Sequence, residues 1–244
     1  APLTAADQAP DAVNDDGLPE THDQVIQVYG KTCFKLKLNG DPDADLDRLR
    51  RVAAVIDTLT APYTVTLDGN EQSTRVEQVV ALWRGIEADE SLARLLRSTL
   101  FIEQPIHRAV ALSEPVWDLA RHVPVIIDES DATLDALPKA RALGYTGVSS
   151  KACKGPYQSL LNAARCQVEN PRREGLSCLI SGEDLTCQPG LAVQQDLALV
   201  GVLGIAHVER NGHHYARGMD GAPRPNNRPC SMPTPTSTGS YKAA

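Results

Sequence analysis

The sequence predicts a TIM-type (β/α) barrel, and three observations carry the prediction. Short apolar runs alternate with amphipathic stretches of 10 to 16 residues along most of the chain, which is the pattern of a parallel sheet with helices outside it. Seven such strands recur at even intervals. Ionisable residues sit at or just past the C-terminal ends of several strands, the face on which a barrel builds its active site. An open doubly wound sheet is the competing architecture, but no glycine-rich phosphate loop follows the first strand. An eight-unit barrel lacking one unit fits the even spacing better.

Residues 1–20 are polar and rich in Ala, Asp and Pro, and read as a loop or disordered lead. Residues 21–29 form a short helix with Thr21 near its N-cap. The run Cys33-Phe34-Lys35-Leu36-Lys37-Leu38 alternates with period two and ends at Asn39-Gly40, so it is a strand. Asp41-Pro42 then opens a helix, with Pro at the first helical position. Leu46, Leu49, Val52, Ala53 and Ile56 share one face of this helix, which runs to about residue 59.

The unit then repeats. A strand at 63–67 ends at Asp68-Gly69-Asn70 and leads to a helix at about 73–87. A strand at 100–102 ends at Glu103-Gln104-Pro105, with a less regular helix over roughly 114–121. A strand at 124–127 ends at Asp128-Glu129-Ser130, before a helix at about 132–143 that Pro138 makes imperfect. A strand at 146–150 ends at Lys151, with a helix at about 157–168. The last units are a strand at 177–181 ending at Gly182-Glu183-Asp184, a helix at about 190–203, and a strand at 205–208 ending at Glu209. From residue 218 to 244 the chain turns rich in Pro, Ser, Thr and Asn and reads as a disordered tail. The barrel domain is thus expected over 21–217.

The bulk numbers agree with a globular protein. Of 244 residues, 42% are hydrophobic and 23% charged, enough for a real core. A net charge of -7 disfavours a nucleic-acid surface. No stretch approaches the roughly 20 apolar residues of a membrane span. The start, Ala1-Pro2-Leu3-Thr4, shows no basic region followed by an apolar run, so no signal peptide is read. Six cysteines, at 33, 153, 166, 178, 187 and 230, form no CxxC pair, and reduced thiols in a cytoplasm are expected.

The chemistry lies in Lys35, Lys37, Asp68, Glu103, Asp128 and Lys151. Three carboxylates from three successive strands would converge at the barrel mouth and offer hard oxygen ligands suited to Mg²⁺. An acid after a strand is more often a turn former or helix cap, by roughly two to one. Three in succession between lysine-bearing strands outweigh that reading. Lys35 and Lys37 share a strand face. Burial, a second ammonium and a divalent ion each lower a lysine's pKa, so such a lysine can serve as a base near neutral pH. The metal would hold a substrate carboxylate and stabilise the ene-diolate formed when the α-proton leaves.

This arrangement resembles the enolase superfamily, and within it the muconate-lactonizing-enzyme-like group, over about residues 21–215. The resemblance rests on Lys35-Leu36-Lys37, Leu-Asp68-Gly-Asn70, Ile-Glu103-Gln-Pro, Ile-Asp128-Glu129-Ser and Lys151-Ala-Cys-Lys154-Gly, in that order. It implies a Mg²⁺ site at Asp68, Glu103 and Asp128, with Mn²⁺ as an alternative, and no organic cofactor. Lys37 and Lys151 would flank the substrate α-carbon from opposite faces, and Lys35 would tune Lys37. Asn70 and Glu129 would lie beside the metal ligands or the substrate. The implied reaction is racemization or epimerization, or else cycloisomerization or elimination, on a small carboxylate-bearing substrate, in an enzyme that often forms homo-oligomers.

Glu183, Asp184, His207 and Glu209 rank lower, as does Lys154, and His213-His214 reads as a solvated loop. The resemblance also implies an N-terminal α+β capping domain and a first barrel strand. Neither finds room before Lys35, so a fragment or truncated product is expected. A truncated barrel that only binds metal or a partner is the alternative function. An open α/β anion-binding protein is the third reading, and it predicts no convergence of the three carboxylates.

Overall fold

A computed structural model describes residues 2–8, 16–170, 178–184, 190–210, 217, 218 and 220. Seven strands form one all-parallel sheet in sequence order: β1 (Cys33–Lys37), β2 (Thr64–Asp68), β3 (Thr99–Glu103), β4 (Val125–Ile127), β5 (Gly147–Ser150), β6 (Leu179–Asp184) and β7 (Val208–Arg210). Helices fill the connections: α1 (His22–Tyr29), α2 (Pro42–Ile56), α3 (Val76–Ala88), α4 (Ala93–Ser98), α5 (Arg108–Ala111), α6 (Trp117–Ala120), α7 (Ala136–Ala142), α8 (Pro156–Glu169) and α9 (Leu191–Leu203). The result is a nearly closed (β/α) barrel.

Strand alternation sorts the residues into two layers. Leu36, Leu38, Val65, Leu67, Ile102, Val125, Ile127 and Val148 join a continuous core with helix residues such as Leu49, Val52, Ile56, Val79, Trp83 and Ile86. Residues of the other parity point into the barrel. They include Lys35, Thr66, Asp68, Phe101, Glu103 and, across the barrel, His207 and Glu209. The ring of Phe101 on β3 meets that of His207, just before β7, edge-on at 5.3 Å between centroids. The sheet therefore curls far enough for its third and last strands to touch.

Backbone closure stops short of that. β1 and β7 each pair with a single neighbour, and a cavity of about 560 Å³ lies along their edges, lined in part by His22, Val25 and Ile26 of α1. Before β1 the described residues hold only α1, a short 3₁₀ turn at Ala5–Asp7 and connecting loop. Pro2 and Leu3 dock there, their carbonyls accepting the His22 and Asp23 N–H groups at the start of α1. The expected tail, apart from residues 218 and 220, and His213-His214 lie outside the described residues.

Four expectations need correction. The strand expected over 177–181 is β6 at Leu179–Asp184, so Glu183 lies within it rather than past its end. The helix expected over 114–121 is the single turn α6; α5 is a separate turn before it, and Pro115, which lacks an N–H to donate, lies between the two. The last strand lies at 208–210 rather than 205–208: α9 ends in a left-handed cap at Gly204, and the Ile205 N–H bonds back to Val200, so 205–207 is spent leaving the helix. Cys166 and Cys178, expected as free thiols, form a disulfide joining the end of α8 to the start of β6, while Cys33 and Cys153 are unpaired and exposed. No described helix is long and apolar enough to cross a membrane.

Candidate active site

The loops that leave β1 and β2 at their C-terminal ends are fixed by local chemistry. Asp41 caps α2 by accepting the Asp43 and Ala44 N–H groups. The buried Asp45 carboxylate accepts the Asn39 and Gly40 N–H groups, which ties the exit of β1 to that helix. At the exit of β2, Gly69 packs so tightly that an added Cβ would sit 2.5 Å from the Pro105 Cα. The exits of β2 and β3 thus lie side by side.

Within this frame the sequence-predicted groups meet. Asp68, Glu103 and Asp128 are all buried, at 1%, 2% and 2% exposure. Lys35 Nζ lies 2.8 Å from Asp68 Oδ2, 2.8 Å from Glu103 Oε2 and 3.9 Å from Glu183 Oε2, and it also contacts Glu209 Oε2. Lys37 Nζ lies 2.5 Å from Asp68 Oδ2 and is about half exposed. Lys151 Nζ lies 2.6 Å from both Asp128 Oδ2 and Glu183 Oε2. Lys37 ends β1 and Lys151 directly follows β5, four places along the strand order, which in a closed eight-strand barrel is the opposite side of the mouth.

The electrostatics differ from the expectation for the lysines. Burial opposes the Lys35 charge, but the carboxylates of Glu103, Asp68, Glu209 and Glu183 outweigh it and raise its pKa. Burial likewise opposes the Lys151 charge, and Asp128 with Glu183 overcomes it, again upward. A lowered lysine was expected in the Lys35–Lys37 pair, and at Lys35 the direction is the reverse. The acids win because they outnumber the ammonium groups and lie within ion-pair distance of them. Asp68 and Asp128 are held below the usual carboxylate range despite burial, by Lys35 and Lys37 in one case and Lys154 and Lys151 in the other. Burial pushes Glu103 up to about 7, helped by Asp68 and Asp128.

The three predicted carboxylates are not the ones that close into a common cluster. Among the described residues, the oxygens of Glu103, Glu183 and Glu209 lie within 4.8 Å of one another. Lys37 holds Asp68 on one side, and Lys151 and Lys154 hold Asp128 on another. Glu183 and Glu209, ranked low in the sequence, are therefore part of the site. Both lie inside strands rather than past strand ends, and they pair across β6 and β7. Strand parity with Ser181 and His207 was the signal that could have placed them. The side chain of Asp184 lies outside the described residues.

Lys154 also belongs here. Its Nζ donates to the carbonyls of Asp128 and Ser149, each at 2.8 Å, and touches Asp128 Oδ1 at 2.8 Å. Asn70 acts through its main chain: its N–H donates to Asp68 Oδ1 at 2.9 Å. Glu129 is partly buried beside Asp128, and its pKa is raised by burial and by that neighbour.

These residues fit a divalent cation. Glu103 Oε1 and Glu129 Oε2 are buried without a hydrogen-bond partner among the described residues, which is costly unless something pairs with them. The mouth groups named here comprise six carboxylates (Asp68, Glu103, Asp128, Glu129, Glu183, Glu209) and four ammonium groups (Lys35, Lys37, Lys151, Lys154). Fully ionised, they carry an excess of two negative charges, which one Mg²⁺ would neutralise. The donors are all hard oxygens.

No protein-family model and no curated protein sequence matches the chain. Solved structures do. A mandelate racemase/muconate lactonizing protein from Herpetosiphon aurantiacus superposes with a TM-score of 0.60 at 24% identity, covering 77% of this chain and 49% of that one. The L-Ala-D/L-Glu epimerase from Bacillus subtilis gives 0.59 at 17% identity, covering 77% and 49%. The N-succinyl Arg/Lys racemase from Bacillus cereus ATCC 14579 gives 0.57 at 20% identity, covering 78% and 47%. The fold is thus that of mandelate racemase/muconate lactonizing enzyme barrels. The chain spans about half the length of the structures it matches.

Proposed function

We propose that this chain is the catalytic barrel of an enolase-superfamily enzyme of the muconate-lactonizing type, and that it moves a proton on the carbon next to a substrate carboxylate. The observation that carries the proposal is the mouth itself: buried Asp68, Glu103 and Asp128, with Lys37 and Lys151 on strands four places apart. Asp68, Glu103 and Asp128 would hold the cation, Mg²⁺ or Mn²⁺, which requires Asp68 to turn from Lys37, and Asp128 from Lys151 and Lys154, toward Glu103. When bound, it supplies positive charge that binds the substrate carboxylate and makes the neighbouring C–H more acidic. Lys37 and Lys151 then face that carbon from opposite sides. A neutral lysine on one side takes the proton, and a protonated lysine on the other returns one, which inverts the centre; Lys151 can take the neutral role only when Asp128 turns from it to the cation. If only one lysine exchanges its proton, the other ammonium offsets negative charge and the reaction becomes an elimination or cycloisomerization. Lys35, held among four carboxylates, stays protonated and acts as a fixed charge beneath the site.

Two experiments test this. Mg²⁺ should raise the thermal midpoint of the chain, and Asp128→Asn should remove the rise. A panel of N-succinyl amino acids and dipeptides in D₂O should show α-deuteration, with Lys37→Ala and Lys151→Ala each losing exchange of one enantiomer if the reaction is an inversion. No response to Mg²⁺ would sink the metal assignment. A second reading, a barrel that binds metal without catalysis, is favoured by the single-sided pairing of β1 and β7. Mg²⁺ stabilisation with no deuteration of any acid would support it instead.

A further inference from the structure

One buried residue ties together the three strand exits that carry Asp68, Glu103 and Asp128, its side chain joining β3 to β4 and its main chain reaching β2. Gln104 follows Glu103 directly and is 0% exposed. Its Oε1 accepts the Asp128 N–H at 2.7 Å and the Ser130 N–H at 3.1 Å. Its Nε2 donates to the Ile106 carbonyl and to Ser130 Oγ, both at 2.7 Å. All four bonds of the amide are made, and three of them end on the β4 exit. The main chain does the rest. The Gln104 N–H donates to the Ile126 carbonyl at 2.8 Å, and its own carbonyl accepts the Glu71 N–H at 2.9 Å from the β2 exit.

The backbone at Gln104 is held at φ +33°, a left-handed value uncommon outside glycine. Strain of this kind persists where the surroundings over-determine it, and it clusters at functional sites. The sharp turn is what brings a long amide back between β3 and β4. Glycine would relieve the strain but carry no amide.

We propose that Gln104 is a positioning residue that sets the spacing of the Asp68, Glu103 and Asp128 carboxylates, and through that spacing the affinity of the mouth for a divalent cation. The affinity half of this rests on the metal site proposed above; the spacing half does not. Residues that orient metal ligands typically cost 10- to 100-fold in affinity when changed.

The test uses the full chain and Gln104→Met, which keeps length and loses every side-chain bond. Mg²⁺ binding is measured by calorimetry well below the thermal midpoint. Affinity should fall tenfold or more. Arg94→Met serves as the stability control, since Arg94 bonds the carbonyls of Asp57, Leu59 and Ala61 away from the mouth; its midpoint should fall while its Mg²⁺ affinity stays within twofold of the parent. A crystal structure of metal-free Gln104→Met should show the Asp128 carboxylate displaced by 1 Å or more. If Gln104→Met does not fold, Ser130→Ala takes its place, with affinity down about threefold and the same carboxylate displaced. A folded variant with parental affinity and an unmoved Asp128 overturns the inference. If the parent binds no Mg²⁺, the metal reading fails, and the displacement of Asp128 alone decides the role of Gln104.

Discussion

The ionisable residues of the mouth hold each other in place, and their charges set how the site should respond to pH and to metal. Glu103 carries a pKa of about 7 because it is buried. A carboxyl raised in this way binds a proton in the folded chain where the unfolded chain has already lost it. Its contribution to stability is therefore present at low pH and fades as pH rises from about 4.5 toward 7. Metal binding needs the same proton to leave. Apparent Mg²⁺ affinity should climb by up to tenfold per pH unit toward pH 7 and level off above it, as read by calorimetry between pH 5.5 and 8.5. An affinity independent of pH below 7 would contradict the assignment of Glu103 as a ligand. Removing the fixed charge should act in the opposite sense. Lys35→Met leaves Asp68, Glu103 and Glu209 without their shared cation. Its midpoint in EDTA should drop below that of the parent, and Mg²⁺ should recover more of the loss than it adds to the parent.

The elements that present these groups depend on local signals that were legible in advance. Asp41-Pro42 was read as a helix start, and Asp41 does accept two N–H groups of the first turn of α2. Asp41→Ala should cost about 1 kcal/mol by urea denaturation, as such caps typically do. Gly69 carries a larger penalty. Its missing Cβ makes room for the Pro105 backbone, and backbone cannot swing aside as a side chain can. Gly69→Ala should therefore destabilise the chain by about 1–3 kcal/mol, typical of overpacking, and should weaken Mg²⁺ binding as well, because the exits of β2 and β3 must part. Unchanged stability would mean that these loops are slack. Where sequence reading of elements failed, the cause was again local. Periodicity marks an apolar run but not where a strand enters a sheet, so the last strand was placed three residues early. The α4 helix and the preceding 3₁₀ turn at Glu90–Leu92 were missed because they extend a pattern already assigned to the helix before them.

At the scale of the whole molecule, the barrel is closed by side chains before it is closed by backbone. Lys35 reaches Glu183 and Glu209 across the edges of β1 and β7, and Phe101 reaches His207. Those two edge strands each have one paired side, whereas β3 and β4 have two. Native-state hydrogen exchange should find amides of β1 and β7 opening at lower free energy than those of β3 and β4. Equal protection across all seven strands would rule out this edge weakness. The alternation of strands and helices, the parity that sends Lys35, Asp68 and Glu103 inward, and the acids at strand ends were all decided by the sequence. Each follows from the period of a strand or helix and from turn chemistry within a few residues. The tertiary structure alone decided that Glu183 and Glu209 join the site, that their carboxylates help to raise Lys35 and Lys151, and that Gln104 spans three strand exits. These depend on groups up to 174 residues apart in the chain, and Coulomb and hydrogen-bond energies follow distance in space, which no local pattern encodes.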